Sequence, residues 1–425
     1  MNGLWRIAAG LAAPALRFHL RRRARTGKED AARLPEREGF GAARPDGPLF
    51  WFHAASVGES LALLPLLEAM AQRAPSLNLL VTTGTVTSAR LLPERLPPHL
   101  AGRVIHRYVP LDVPGWWERF LDGWRPDAAA LVESELWPNL LDALARRRVP
   151  VSLVNARLSD RSAVRWGRFA PGLARRLLDS LALTLPRTAE DARRLQALGA
   201  RHVGAPADLK RAAAPLPARA AALADLRAAI GTRPVLLAAS IHPGEDTQVL
   251  AAHERIGLPG LLTILAPRHP QRGAALAALS GGGRRSLGRM PDARSFHVAD
   301  TMGELGLFYR LADVAFIGGS LVAHGGQNPL EAVRLGCPAL IGPHHENFAE
   351  LCGELAAAGA LCVVPDAGAL ADAARNVLSQ PGAGADMRRA AQGFAEAAAH
   401  IPGRLAEALL ATLPLVEGGG FGQER

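Results

Sequence analysis

From residue 48 onward, short runs that are apolar throughout alternate with longer stretches whose apolar residues recur every three or four positions. A strand apolar on both faces must be covered on both faces, and its cover has to come from the helical stretches between strands. This order admits little besides right-handed βαβ units joined into parallel sheets. The first strand candidates are 49–53, 77–83, 128–133, 151–155 and 181–185, with Leu61, Leu64, Leu67 and Met70 marking the helical period after the first. The alternation pauses over 204–234, which is rich in Ala and Pro and holds one expected helix and no strand. It restarts with 235–239, 261–266, 313–318, 338–341 and 361–364. The expectation is an α/β chain of two doubly wound, Rossmann-like halves facing a cleft, with ligands at the carboxyl ends of strands. The length of 425 residues also exceeds what one core sustains and calls for two domains of roughly 200 residues. The chain divides into an N-terminal segment 1–30, a first domain 31–205, a linker 206–233, a second domain 234–415 and a frayed tail 416–425.

Hydrophobic residues are 49% and charged residues 21% of the chain, a globular composition, and the net charge of +10 favours an anionic partner. Only Lys28 and Lys210 among the 49 basic residues are lysines, so each is a candidate for a specific role. Nucleic-acid binding would interleave aromatic with basic residues. Aromatics are only 5% here, and five of the seven tryptophans lie between Trp51 and Trp137 among apolar or turn residues. Cys337, Cys352 and Cys362 lack the paired spacing of a zinc site and are expected to be reduced core thiols.

Residues 7–16, IAAGLAAPAL, are followed by Arg17, Arg21, Arg22, Arg23 and Arg25. As a helix this run would be about 15 Å long, half of the ~30 Å needed to span a bilayer core. It reads as an interfacial anchor, apolar residues in the headgroup boundary and arginines on anionic lipid, or as a helix packed on its own domain.

The residues with chemical potential cluster at strand ends. In 53–60, HAASVGES, Gly58 relaxes a strand-to-helix turn and Glu59 falls in the first helical turn, where the dipole favours a carboxylate. Glu133 and Glu135 follow the strand 128–133; they share a face if the strand persists, and only one points into the cleft if a turn has begun. Asn155 and the turn after Thr83 read as cleft wall. Pro267, Arg268 and His269 form a stiffened basic step, and arginine suits phosphate. The segment 300–305, DTMGEL, with Gly303, Glu304 and Leu305, resembles another junction at which backbone could meet a base or ribose. In 318–332, GGSLVAHGGQNPLEA, Asn328 is an expected N-cap, Pro329 the first helical residue, Leu330 the second and Glu331 a capping-box acid. Gly325 and Gly326 ahead of that helix suggest a phosphate site. No metal-binding pattern, Walker loop or nucleophile elbow is present, which points to group transfer without a metal.

These stretches, with 82–89 (TTGTVTSA), 132–141 (VESELWPNLL), 155–162 (NARLSDRS) and 342–348 (GPHHENF), resemble the Kdo transferases, which move 3-deoxy-D-manno-octulosonic acid (Kdo) from CMP-Kdo to the lipid A precursor. The resemblance implies a GT-B glycosyltransferase needing no cofactor beyond its donor substrate. It implies Glu59 as the base and Glu133 and Lys210 as stabilisers of the transition state. Pro267, Arg268, Gly303, Glu304, Leu305, Asn328, Pro329, Leu330 and Glu331 would surround CMP. It also implies lipid IVA as acceptor and a place at the cytoplasmic face of the inner membrane. Gln327 stands where the family usually has His, and 205–210 reads APADLK where it usually has a Gly-Asn-type turn before Leu-Lys. A sugar-nucleotide epimerase or another GT-B glycosyltransferase are the rival readings.

Overall fold

The computed structural model describes residues 2–212 and 215–414; the expected tail 416–425 lies outside the described residues. Two compact units separate among them, residues 2–212 with 400–414 and residues 215–399.

The first unit is built on six parallel strands: β1 (Leu49–Ala54), β2 (Asn78–Thr83), β3 (Val104–Tyr108), β4 (Ala128–Val132), β5 (Val151–Ala156) and β6 (Leu183–Pro186). Their order is β3-β2-β1-β4-β5-β6, so the direction of winding reverses between β1 and β4. Every residue of β1, β4 and β5 is buried, as wholly apolar strands covered on both faces require. Trp51 of β1 packs on Phe120 of the helix Pro114–Trp124, ring centroids 5.0 Å apart, in a core shared with Trp117 and Trp124. Strand β3 was not among the expected strands because its sequence, VIHRY, lies at the sheet edge and carries His106 and Arg107. Burial, then Arg33 and Arg107, push the His106 imidazole down to about 3.

The N-terminal segment forms two helices, Asn2–Leu11 and Ala13–Arg25. Leu20 is buried against Val113 and Trp116 with Ala13 and Leu16 alongside, whereas Ile7, Leu11 and Phe18 are exposed. One face is therefore packed and another left open. No helix among the described residues is long and apolar enough to cross a membrane.

The second unit contains seven parallel strands: β7 (Val235–Ile241), β8 (Leu262–Pro267), β9 (Gly283–Arg284), β10 (Phe296–Val298), β11 (Val314–Ile317), β12 (Ala339–Ile341) and β13 (Leu361–Val363). They run β13-β12-β11-β7-β8-β10-β9, reversing between β7 and β11. Strands β9 and β10, with two and three residues, are too short to show a period in sequence.

Two boundaries differ from expectation. The helix Ala220–Ile230 buries Leu226 and Ile230 in the second core, so most of the expected linker 206–233 is part of that unit. The helix Ile401–Leu410 packs on the helix Leu64–Arg73 of the first unit instead of closing the second domain at 415. Its buried Ile401, Leu405 and Leu409, four apart, form a stripe that this packing covers. Cys337 and Cys352 are buried free thiols, and burial pushes them up to about 12 and about 11. Cys362 corrects the expectation of a core thiol: it is exposed on β13, the edge strand.

Candidate active site

In a doubly wound sheet, adjacent loops diverge where the strand order reverses and leave a crevice at the carboxyl ends. The first unit brings Glu59, Glu133, Glu135 and Lys210 to that place. Glu59 follows β1 on the short helix Val57–Ala62. Ser56 caps the helix: its Oγ accepts from Glu59 N at 3.3 Å and donates to Glu59 Oε1 at 2.6 Å. Glu59 Oε2 accepts from Ala55 N at 2.8 Å, so the loop itself fixes the carboxylate, which is only 9% exposed. Gly58 is helical and not at positive φ, which corrects its expected role of relaxing the turn. A Cβ there would meet nothing within 4 Å, so the glycine leaves open space one residue from Glu59.

A turn begins directly after β4, because Glu133 is in the left-handed region at φ 62°. Such a conformation costs a non-glycine residue of order 1–3 kcal/mol and persists only when the surroundings impose it. Lys210 Nζ donates to Glu133 Oε1 at 2.7 Å. The lysine is delivered by a second left-handed residue, Asn155 at φ 54°, where the pairing of β5 with β6 shifts register. Asn155 Oδ1 accepts from Leu209 N at 3.0 Å, pinning the residue before Lys210. Asn155, expected only as cleft wall, thus sets the Glu133–Lys210 pair despite the unusual APADLK turn. Replacing it with Ala orphans the buried Leu209 N–H and is expected to cost about 1–3 kcal/mol, read as a lowered Tm.

The turn does not remove Glu135 from the cluster. Trp137 Nε1 donates to Glu135 Oε2 at 2.6 Å, and His53 Nε2 lies 3.9 Å from the same oxygen. Burial first, with Glu59 and Glu133 adding like charge, raises Glu135 above the usual carboxylate range against the Trp137 hydrogen bond. Burial holds His53 down at about 4, hence neutral. His53 was not a candidate in sequence, where it reads as an ordinary strand residue.

In the second unit a cavity of about 320 Å³ opens at the reversal between β7 and β11, within the range of small-ligand sites. Pro267, Arg268, Gly303, Leu305, Asn328 and Glu331 of the expected set line it, with Ser240 and Gln327. Ser240 is left-handed at φ 56° where β7 and β8 shift register, and Ile241 O accepts from Arg268 N at 3.0 Å. Arg268 has no ion-pair partner among the described residues and is exposed, so its charge is available to a ligand. Asn328 Oδ1 accepts from Leu330 N at 3.1 Å, which starts the helix Leu330–Val333. Glu331 makes no capping bond to Asn328 among the described residues; it lines the cavity, and burial raises its carboxyl above the usual range against Arg334 and Arg268.

The other expected residues are elsewhere. His269 is exposed, its ring centroid 6.2 Å from His242. Glu304 turns to Arg285, which donates from Nη2 to Oε1 at 2.9 Å and from Nε to Oε2 at 3.1 Å, holding the carboxyl low. The helix begins at Leu330 with Pro329 in the N-cap position, which corrects the expected Asn328 cap and Pro329 start, and neither Pro329 nor Leu330 lines the cavity. Gly325 and Gly326 do not line it either. A Cβ on Gly325 would come within 2.4 Å of Asn347 and one on Gly326 within 3.1 Å of His345, while Gly326 N donates to Gly319 O. Close packing requires these glycines and uses the N–H that a phosphate would need.

Sequence reading also missed Glu245, which is fully buried. Its Oε2 accepts from His242 N and Gly319 N, and its Oε1 from Ser320 N and Leu321 N, at 2.7–3.0 Å. An internal carboxylate therefore fills the nest of the Gly318-Gly319 loop. The signal available was an acid directly after the Pro243-Gly244 step that follows a strand.

A sequence profile described as 3-deoxy-D-manno-octulosonic-acid transferase (kdotransferase) matches residues 32–213, and one described as glycosyl transferases group 1 matches 291–394. The chain is 36% identical over 427 residues to the 3-deoxy-D-manno-octulosonic acid transferase of Bordetella pertussis, covering 96% of this chain and 98% of that one. It is 36% identical to the Haemophilus influenzae protein of the same name over 75% of this chain and 77% of that one. A putative UDP-N-acetylglucosamine 2-epimerase from Listeria monocytogenes shares the fold, with a TM-score of 0.57 at 14% identity over 87% of this chain and 96% of that one. The two parallel α/β sheets are of the GT-B type, and the chain belongs to the 3-deoxy-D-manno-octulosonic acid transferase family of glycosyltransferases.

Proposed function

We propose that the protein transfers Kdo from CMP-Kdo to lipid IVA, with Glu59 as general base. The reading is carried by the gathering of Glu59, Glu133, Glu135 and Lys210 at the reversal of the first sheet, in a chain of this family. The acceptor hydroxyl gives its proton to Glu59 as its oxygen bonds to the anomeric carbon of Kdo. The bond from that carbon to the CMP phosphate oxygen breaks, and its electron pair leaves with CMP. Arg268 meets the growing phosphate charge, and the Glu133–Lys210 pair stabilises the charge developing on the sugar. No step assigned to these residues calls for a metal ion. Gly325 and Gly326 are not part of this reading.

The exposed Ile7, Leu11 and Phe18, with Arg21, Arg22 and Arg25 exposed on the following helix, support an interfacial seat at the cytoplasmic face of the inner membrane. Mass spectrometry of lipid IVA incubated with the protein and CMP-Kdo is expected to show added Kdo, and its mass counts the units. CMP released equally without lipid would instead support an enzyme acting on the sugar nucleotide alone. Arg268→Ala is expected to raise the inhibition constant of CMP by about 10–100-fold, the worth of one charge-assisted hydrogen bond. Unchanged inhibition would remove Arg268 from the phosphate site.

A further inference from the structure

The hydrogen-bond chain behind the first-unit carboxylates assigns a proton. Thr82 Oγ1 accepts from Trp51 Nε1 at 2.9 Å and lies 3.3 Å from Phe52 O, to which its own hydrogen is directed. His53 Nδ1 lies 3.1 Å from both Thr82 O and Thr82 Oγ1; the carbonyl only accepts and the hydroxyl hydrogen is directed to Phe52 O, so the ring hydrogen belongs on Nδ1. Neutral imidazole then has a bare lone pair at Nε2. That atom is fully buried, has no hydrogen-bond partner among the described residues, and lies 3.9 Å from Glu135 Oε2. An ionised carboxylate there would set lone pair against lone pair; a carboxylic acid can donate.

We propose that Glu135 carries its proton on Oε2, facing the bare His53 Nε2 at 3.9 Å, making it a neutral positioning residue beside the base. The inference rests on the reading of Glu59 as that base. Trp137 Nε1 donates to the same Oε2 and holds its orientation. The groups facing Glu135 are Glu59 after β1, Glu133 after β4 and His53 within β1, with Arg37 acting on His53 and Lys210 paired to Glu133. Ionised Glu59 and Glu133 therefore have one paired lysine between them. A third ionised carboxylate would add uncompensated charge to a largely buried cluster and displace Glu59 from its cap. With Glu135 neutral, two ionised acids and one lysine coexist.

The test uses the full-length protein and compares Glu135→Gln with Glu59→Gln. The Gln side chain keeps a neutral group facing His53 and can accept from Trp137, so Glu135→Gln is expected to lose less kcat than Glu59→Gln. Glu59→Gln is expected to lose about 10²–10⁴-fold. As Glu135 ionises at rising pH the parent activity falls, and Glu135→Gln lacks that alkaline limb. A carboxyl whose folded pKa is raised binds its proton more tightly folded than unfolded, so stability is lost as pH rises through that titration. Glu135→Gln abolishes this loss in Tm as well. A kcat as low as that of Glu59→Gln, or an unchanged alkaline limb, would overturn the proposal. If Glu59→Gln were itself active, the reading of the base would fail separately from that of Glu135.

Discussion

Glu59→Gln is expected to reduce Kdo transfer by about 10²–10⁴-fold, the range assigned to a positioned general base, while CMP inhibition stays at the parent value. The substitution isolates proton acceptance. Both oxygens of Glu59 are bonded within its own loop, to Ala55 N and Ser56 Oγ. A glutamine oxygen can keep one of these bonds, and the Ser56 cap on the backbone N–H is untouched, so the helix Val57–Ala62 is retained. The proposed CMP site lies in the second unit, which does not contain Glu59. Turnover and CMP inhibition, measured side by side, decide the matter. Near-normal turnover would return Glu59 to the role of a capping residue, for which its geometry is already sufficient.

The second large effect is expected from Glu245→Gln, which does not touch the lining of the cavity. Four backbone N–H groups converge on this carboxylate. Glutamine presents one acceptor oxygen and one NH₂, so two of the four donors are left facing a donor in a fully buried place. At on the order of 1–3 kcal/mol for each buried unsatisfied donor, the loss is about 2–6 kcal/mol. For a unit of this size that corresponds to a fall in Tm of roughly 5–20 °C, visible by scanning calorimetry as a shift of the second unit's transition. Glu304→Gln is the control, since its carboxylate lies nearer the surface and leaves no backbone N–H unpaired. If the two variants melted alike, the nest would not be what holds the Gly318-Gly319 loop.

Much of the fold was legible because burial on both faces is written directly into composition. The ten expected strands correspond to observed ones, and β3, β9 and β10 escaped because an edge strand with charges and strands of two or three residues carry no such signature. The linker and the last helix were misplaced for a related reason. Periodicity shows that Leu226, Ile230, Ile401 and Leu405 need cover, but it does not say which surface supplies it.

The same limit runs through the site. Local order along the chain determined the Ser56 cap on Glu59 and the Asn328 bond to Leu330, contacts within three residues that need nothing from the rest of the fold. It also determined that Glu133 and Arg268 follow strands, where parallel sheets place their ligands. Only the tertiary structure decided which of these groups meet. Lys210 reaches Glu133 across 77 positions because Asn155 holds Leu209, and Glu245 reaches Ser320 across 75. The proton assigned to Glu135 depends on β1 and β2 lying side by side, so that Thr82 orients His53. Hydrogen bonds and charges act over a few ångströms of space regardless of sequence separation. A chain read residue by residue therefore shows which groups are available, and the strand order shows which of them share a site.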